Sequence, residues 1–218
     1  MTKRDEAQWN SILIQCGVKP ITAAKWSIVF AAVIEPDTFS AGDVELDDFL
    51  REVLIESGKL ERLDENLNYS VEALLSKFGR HRISEADARR YGRLTGVQQA
   101  NQEAIANCVY GGEWGARNLG NIEPGSGWRN RGAGLVQITG AANLKAVQEA
   151  TGIPVYDKPE LLRSVSRECL LVCIAWWEKN VPDDVMGNVA MVRKEVNGGT
   201  NGLAEDLALD AAVKGAMA

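Results

Sequence analysis

The sequence predicts a mainly α-helical protein with a minimal β element, and three observations carry that expectation. Apolar residues recur at helical spacing through most of the 218 residues. Ser, Pro and Gly stand where helices start and stop. Only the short run GLVQIT, residues 134–139, has strand character. A chain of this length can bury a core as one domain or as two small lobes.

Taken in order, residues 5–15 form one helix and 21–35 a second, with Pro20 just before its start. Residues 41–56 form a third, in which Val44, Leu46, Phe49, Leu50, Val53 and Leu54 draw an apolar stripe. Ser70 caps a helix containing Glu72 and Leu74, and Ser84 caps another, SEADARRYG, which Gly92 stops. Helices over 98–110 and 141–151 follow. The run SVSRECLLVCIAWWEKN is almost wholly apolar and is expected to be the central buried helix. Two more helices cover 185–196 and 203–216.

One region breaks the rule. Between Tyr110 and Gly134, YGGEWGARNLGNIEPGSGWRNRGAG holds eight glycines and no apolar periodicity. A loop this long in a compact domain is functional or disordered. Trp114, Trp128, Arg117, Arg129 and Arg131 point to a binding surface rather than a linker.

Composition excludes several classes. The apolar share of 45% and charged share of 25% are ordinary for a globular protein. With a net charge of −6 and a pI of about 5.0, no basic patch for nucleic acid or anionic lipid is implied. Cys16, Cys108, Cys169 and Cys173 form no CxxC pair, and His81 is the single histidine, so no metal site is expected. The thiols read as buried and free, with one disulfide as the alternative, and His81 reads as solvated. The N-terminus has no apolar core of signal length. The run AAKWSIVFAAVI contains Lys25 and is too short to span a bilayer, so no membrane insertion is expected.

The stretch LREVLIESGKLERLDENLNYS places Glu56 at the end of an apolar helix and Glu65 nine residues on. At about 100° per residue the two would lie on opposite sides of a continuous helix. Ser57-Gly58 interrupts it, and the glycine permits a left-handed exit that lets the chain fold back. Glu56, among Val53, Leu54 and Ile55, is expected in a desolvated setting that suits a proton donor, and Glu65, among polar neighbours, as an ionised base. Glu52, Glu61 and Asp64 read as solvated charge.

In this order and spacing, ESGKLERLDENLNYS, ANCVYGG, GWRNRGAGLVQITGAANL and EVNGGTNGL resemble the family 19 glycoside hydrolases, and most of all the phage and prophage endolysins of that chitinase-like family. The resemblance runs from about residue 45 to about 203. It implies a lysozyme-like, two-lobed helical domain spanning residues 1–218, with the Gly-rich segment at 110–134. It makes Glu56 the general acid, Glu65 the general base and Thr139 the holder of the attacking water. Gln137, Asn143 and Asn197 fall where the family places sugar-binding amides, Tyr69 and Trp128 offer faces to pyranose rings, and Arg131 belongs to the same substrate-binding group. The reaction implied is single-displacement hydrolysis with inversion, without a metal or organic cofactor.

Residue by residue, other readings stay open: Thr139 as a strand end, Asn143 as a helix cap, Asn197 as part of a helix stop, and Tyr69 and Trp128 as core aromatics. The chain also departs from the family. Ile55 replaces the His of H-E-S, and Ala133 replaces the second arginine of RGRG. Leu144 stands where Tyr follows Asn, and Glu113 stands at the arginine of YGGR. Glu205 and Asp206 stand where relatives carry an arginine after NGG, a loss that Arg193 or Arg131 could offset.

The resulting expectation is an endolysin-like hydrolase cleaving β-1,4 bonds between amino sugars of peptidoglycan. A cleft is expected with Glu56 and Glu65 on one side and Thr139 with the Gly-rich segment on the other. The partners implied are glycan strands and a holin giving access to the wall from the host cytoplasm, and the expected state is a monomer. The alternatives are a chitinase, a lytic transglycosylase, or a catalytically impaired relative acting as a glycan-binding or structural module.

Overall fold

The computed structural model describes residues 2–199 and 202–218. Thr200 and Asn201, within the NGG-x-NGL motif, lie outside the described residues. Among those described there are twelve α-helices, two 3₁₀ turns and no sheet, so the protein is mainly α. Among the described residues, no helix is long and apolar enough to cross a membrane.

The chain divides into two compact units. The first comprises residues 1–63, 134–136 and 161–218. It holds α1 (Glu6–Gln15), α2 (Pro20–Val33) and α3 (Asp43–Glu56), together with α10 (Arg167–Asn180), α11 (Val189–Asn197) and α12 (Leu203–Met217). Asp5 opens α1 through a capping box: its side chain accepts from Gln8 N–H, and the Gln8 side chain accepts from Asp5 N–H, each at 2.8 Å. Pro20 is the first residue of α2, where its missing N–H costs nothing. Trp9, Trp26, Phe30, Phe49, Leu50 and Trp177 build the core of this unit, with Trp9 tilted on Phe30 at 5.0 Å and Phe49 edge-on to Trp177 at 5.5 Å.

The central helix here is α3 rather than α10, contrary to expectation. It buries Leu46, Phe49, Leu50, Val53 and Leu54 and also Glu45, Asp48, Arg51 and Glu52. A charged helix can be this buried because its ions pair internally. Arg51 binds Asp48, Glu52 at 3.3 Å, Asp206 at 3.1 Å and Asp210 at 3.2 Å. Glu45 accepts from Trp177 Nε1 at 2.9 Å. Glu52 is therefore not solvated charge, whereas Glu61 is exposed and pairs with Lys19.

The second unit, residues 64–133 and 137–160, holds α4 (Val71–Lys77), α5 (Glu85–Tyr91), α6 (Gln102–Val109), α7 (Gly112–Leu119), α8 (Ser126–Arg129) and α9 (Ala141–Thr151). Ser70, Ser84 and Asn101 cap α4, α5 and α6 through their side chains. The core is Leu67, Leu74, Ile83, Ala88, Ile105, Ala106 and Val109. The Gly-rich segment is not one irregular loop, since it folds into α7 and α8. Gly127 explains why apolar periodicity missed this: a Cβ there would lie 2.5 Å from the Ala106 carbonyl oxygen. The glycine packs α8 backbone to backbone on α6, with no apolar side chain to signal it.

The β element reduces to isolated bridges. Ala133 and Ile138 exchange N–H···O bonds of 3.1 and 2.9 Å around a four-residue turn over 134–137. Gln137, at φ +52°, turns the chain out of an extended path, so no strand forms. All four cysteines are free thiols, three of them buried and Cys108 half-buried. His81 is exposed.

Candidate functional site

Glu56 is the last residue of α3. Beyond it Ser57 Oγ donates to Val53 O at 2.5 Å and accepts from Leu60 N–H at 2.8 Å, tying off the helix. Gly58, Lys59 and Leu60 then run at φ +58°, +62° and +65°. The left-handed exit expected at the glycine thus extends over two non-glycine residues, each costing about 1–2 kcal/mol. The setting of Glu56 differs from expectation. Val53 and Leu54 are buried away from it, while its carboxylate receives Arg193 Nη1 at 2.5 Å. Arg193, from α11, also binds Glu52 at 2.9 Å and Asp206 at 3.1 Å, so one guanidinium is shared among three carboxylates. Burial pushes the Glu52 and Asp206 carboxyls up, against the pull of the two arginines. Arg193 thus places a positive charge directly on Glu56. Asn197 ends α11 in the same unit, its Oδ1 accepting from Gly199 N–H at 2.9 Å, as a helix-stop residue does.

Glu65 belongs to the second unit, with Thr139 and the Gly-rich segment, and Glu56 belongs to the first. The expected grouping of the two carboxylates apart from Thr139 is thereby corrected. Glu65 is fixed at three points. Its N–H donates to Gly132 O at 3.0 Å, its Oε2 accepts from Gly132 N–H at 2.9 Å, and its Oε1 accepts from Tyr110 Oη at 2.5 Å. Both carboxylate oxygens act as acceptors. Burial first, then the Glu65 carboxylate, push the Tyr110 phenol up, so its hydroxyl keeps its proton and donates. Arg82 caps this corner. Its Nε donates to Val109 O at 2.8 Å, and its guanidinium stacks 3.7 Å from the Trp114 ring centroid and 5.5 Å from that of Tyr110.

Gly132 sits where a side chain would crowd the site. A Cβ there would lie 2.8 Å from Gln137 Oε1 and 3.2 Å from Glu65 Oε2. The same crowding shows that the Gln137 amide and the Glu65 carboxylate converge on one backbone position. From Gln137 a chain of hydrogen bonds continues. Thr139 Oγ1 donates to Gln137 O at 3.1 Å, and Asn143 Nδ2 donates to Thr139 O at 2.8 Å. The donor of Thr139 is used within the chain while its oxygen keeps lone pairs to accept from a water. Asn143 lies inside α9, whose cap is Gly140, and is exposed.

The aromatics are less open. Arg131 stacks 3.5 Å from the Trp128 ring centroid, and Arg131 Nη2 binds Asp64 at 2.6 Å. Tyr69 is half-buried, edge-on to Phe78 at 5.5 Å with Lys77 Nζ 5.2 Å from its centroid. One broad face of Trp128 thus already carries a guanidinium.

Structure brings Glu65, Gln137, Thr139 and Asn143 into one hydrogen-bonded neighbourhood of the second unit, with Arg131 and Trp128 paired separately. Glu56 and Asn197 lie in the first unit. Sequence reasoning missed Tyr110, Gly132 and Arg82 around Glu65, and Glu52 and Asp206 around Arg193. A tyrosine before a double glycine is a weak signal, and nothing in the periodicity marks a buried acid as a partner of a distant arginine. Among the described residues no cluster of His, Cys, Asp or Glu could hold a metal ion.

The chain is similar to several known proteins. A glycosyl hydrolase family 19 domain-containing protein of Haemophilus influenzae (strain ATCC 51907 / DSM 11121 / KW20 / Rd) is 33% identical over 159 residues, 72% of each chain. Chitinase C from Streptomyces griseus HUT6037 aligns over 97% of this chain and 91% of its own at 16% identity and a TM-score of 0.47. A mutant of chitinase C gives 0.44 at the same identity and coverage. No family model matches. On the identity and coverage of the Haemophilus relative, the chain belongs to glycosyl hydrolase family 19 and is a glycoside hydrolase.

Proposed function

We propose that the protein hydrolyses β-1,4 bonds between the amino sugars of peptidoglycan, with inversion, as an endolysin that lyses a bacterial wall. The observation that carries this reading is the contrast between the two carboxylates. Glu56 shares Arg193 with two other acids, whereas Glu65 is held by an O–H and an N–H donor. Acid and base roles need such unlike environments. Glu56 gives its proton to the leaving glycosidic oxygen. The carboxylate left behind is stabilised by Arg193, an interaction strengthened as charge develops. Glu65 takes a proton from the attacking water, which Thr139 Oγ1 orients. Gln137, Asn143 and Asn197 bind sugar amides and hydroxyls, with Tyr69, Trp128 and Arg131 lining the path of the glycan. Peptidoglycan is favoured over chitin by the motif resemblance to endolysins. A holin delivering a monomeric enzyme from the host cytoplasm to the wall belongs to the same reading.

The test is clearing of outer-membrane-permeabilised cells, with product anomers followed by NMR. Wild type is expected to clear them and release inverted reducing ends. Glu56→Gln and Glu65→Gln are each expected to lose at least 100-fold in rate, the scale of positioned acid–base catalysis. Equal clearing by wild type and Glu56→Gln overturns the role of Glu56. Anhydro-sugar ends with a fully active Glu65→Gln would make the protein a lytic transglycosylase.

A further inference from the structure

We propose that a cavity of about 550 Å³ in the first unit binds a short zwitterionic peptide carrying alanine-sized side chains, the stem peptide of the glycan substrate. This deepens the reading above and rests on it for the identity of the glycan. The cavity is walled by Leu54 and Ile55 at the end of α3 and by Ala208, Leu209 and Ala212 on α12. Its remaining walls come from the C-terminal end of α1 and the turn at Gly58 and Lys59. Ile55 and Gly58 flank Glu56 by one and two residues. The cavity therefore opens within about one helical turn, ~5.4 Å of axis, of the acid.

Charge and shape together select the occupant. The apolar walls are built from Ala, Leu and Ile side chains, with no aromatic face for a sugar or a base to stack on. The cavity also carries one cation, Lys59, and one anion, Glu205. Both side chains are exposed, and neither makes an ion pair or side-chain hydrogen bond among the described residues. Unpaired opposite charges beside small apolar walls fit a ligand bearing a carboxylate, an amine and methyl side chains. A peptidoglycan stem has all three, and chitin has none of the charges.

The backbone gives an independent reason to regard Lys59 as functional. Leu60 justifies its left-handed conformation by being buried, 2% exposed, and by donating its N–H to Ser57 Oγ. Lys59 is left-handed at φ +62° yet exposed, so no burial of its side chain offsets the strain. That conformation lays its ammonium against Gly17, where a Cβ would come within 2.4 Å of Nζ. Gly17 thus leaves the room that the ammonium occupies on the cavity wall.

The test compares cleavage of intact peptidoglycan with cleavage of the same glycan after enzymatic removal of its peptides. It also titrates the protein with the tripeptide L-alanyl-γ-D-glutamyl-diaminopimelate by NMR. Wild type is expected to prefer the intact glycan about 10-fold. That ratio should fall toward one in Lys59→Met, in Glu205→Gln and in Ala208→Trp, which fills the cavity without changing a charge. The tripeptide should shift resonances of Ile55, Ala208 and Ala212 in wild type and not in Lys59→Met. An unchanged ratio in all three folded variants, or no tripeptide shifts in wild type, overturns the proposal. If wild type cleaves only chitin oligomers, the proposed substrate fails, and the tripeptide titration still decides the cavity by itself.

Discussion

Glu65 is restrained more tightly than a surface acid has reason to be, and Tyr110 is the residue that accounts for it. The phenol donates at 2.5 Å to one carboxylate oxygen from a half-buried position, and Arg82 packs over the ring. Hydrogen bonds to charged groups contribute about 1.5–3 kcal/mol. Tyr110→Phe keeps the ring and removes only the donor. Its expected result is a 10- to 100-fold loss of kcat with the far-UV circular dichroism unchanged, and full activity would show that Gly132 N–H suffices to hold the Glu65 carboxylate. Arg193 is the corresponding residue for Glu56. Its partners Glu52 and Asp206 are 2% and 0% exposed at their side chains, so Arg193→Met strands buried carboxylates. Removing one partner of a buried ion pair costs about 3–5 kcal/mol, a loss to be read from the midpoint of urea unfolding. A shift below 1 kcal/mol would mean that Arg51 alone satisfies the acids.

Among the elements, α3 and the turn after it do two jobs at once. The helix carries the apolar stripe that its sequence announces, and on its other positions it carries Glu45, Asp48, Arg51 and Glu52 into the interior. The turn at 58–60 then redirects the chain. Gly58→Ala places a Cβ in the left-handed region and 2.8 Å from Arg62 Nε. It is expected to destabilise by about 1–2 kcal/mol, measurable as a lowered thermal midpoint. An unchanged midpoint would indicate that the turn relaxes without cost. The run over 164–180 was a reasonable candidate for the central helix because its hydropathy is high. Yet Leu171 is 38% exposed, while the charged α3 is more fully covered. Hydropathy ranks side chains singly, and burial of ions depends on partners that arrive from α11 and α12.

At the scale of the molecule, 30 acidic against 24 basic residues leave more carboxylates than cations, and some acids keep a shielded oxygen without a hydrogen bond. Asp47 is one, its Oδ1 shielded from solvent with no hydrogen-bond partner among the described residues. Burial pushes its carboxyl up to about 6; Arg4 and Lys214 pull it down, and Asp43 and Asp48 push it further up. In the unfolded chain the group titrates near 3.9. The folded state therefore holds the proton more tightly. The stability associated with Asp47 is fully present below about pH 4 and is lost as pH rises through about 6. Burial pushes Glu52 and Glu178 in the same direction. The thermal midpoint is expected to fall between pH 4 and 7, and Asp47→Asn to flatten that fall and exceed wild type at pH 8. An unaltered slope in the variant would refute the assignment.

Most helix positions, their Ser and Pro starts, the free thiols and the ordered motifs of a family 19 hydrolase were legible along the chain, because each is a local property of spacing or residue type. The Gly-rich segment was misread as irregular since its helices pack through glycine backbone, which leaves no periodic apolar mark. The surroundings of the two carboxylates were equally hidden. Glu56 looked apolar from its neighbours in sequence, but a helix turns each residue to its own direction, and the one that faces Glu56 is Arg193, 137 positions away. Glu65 looked merely polar and is instead fixed by Tyr110 and Gly132, 45 and 67 positions away. Sequence by itself determined the helical class and the family motifs. Which charge or hydrogen bond each acid meets was decided only by the tertiary structure, because electrostatic environment depends on distance in space.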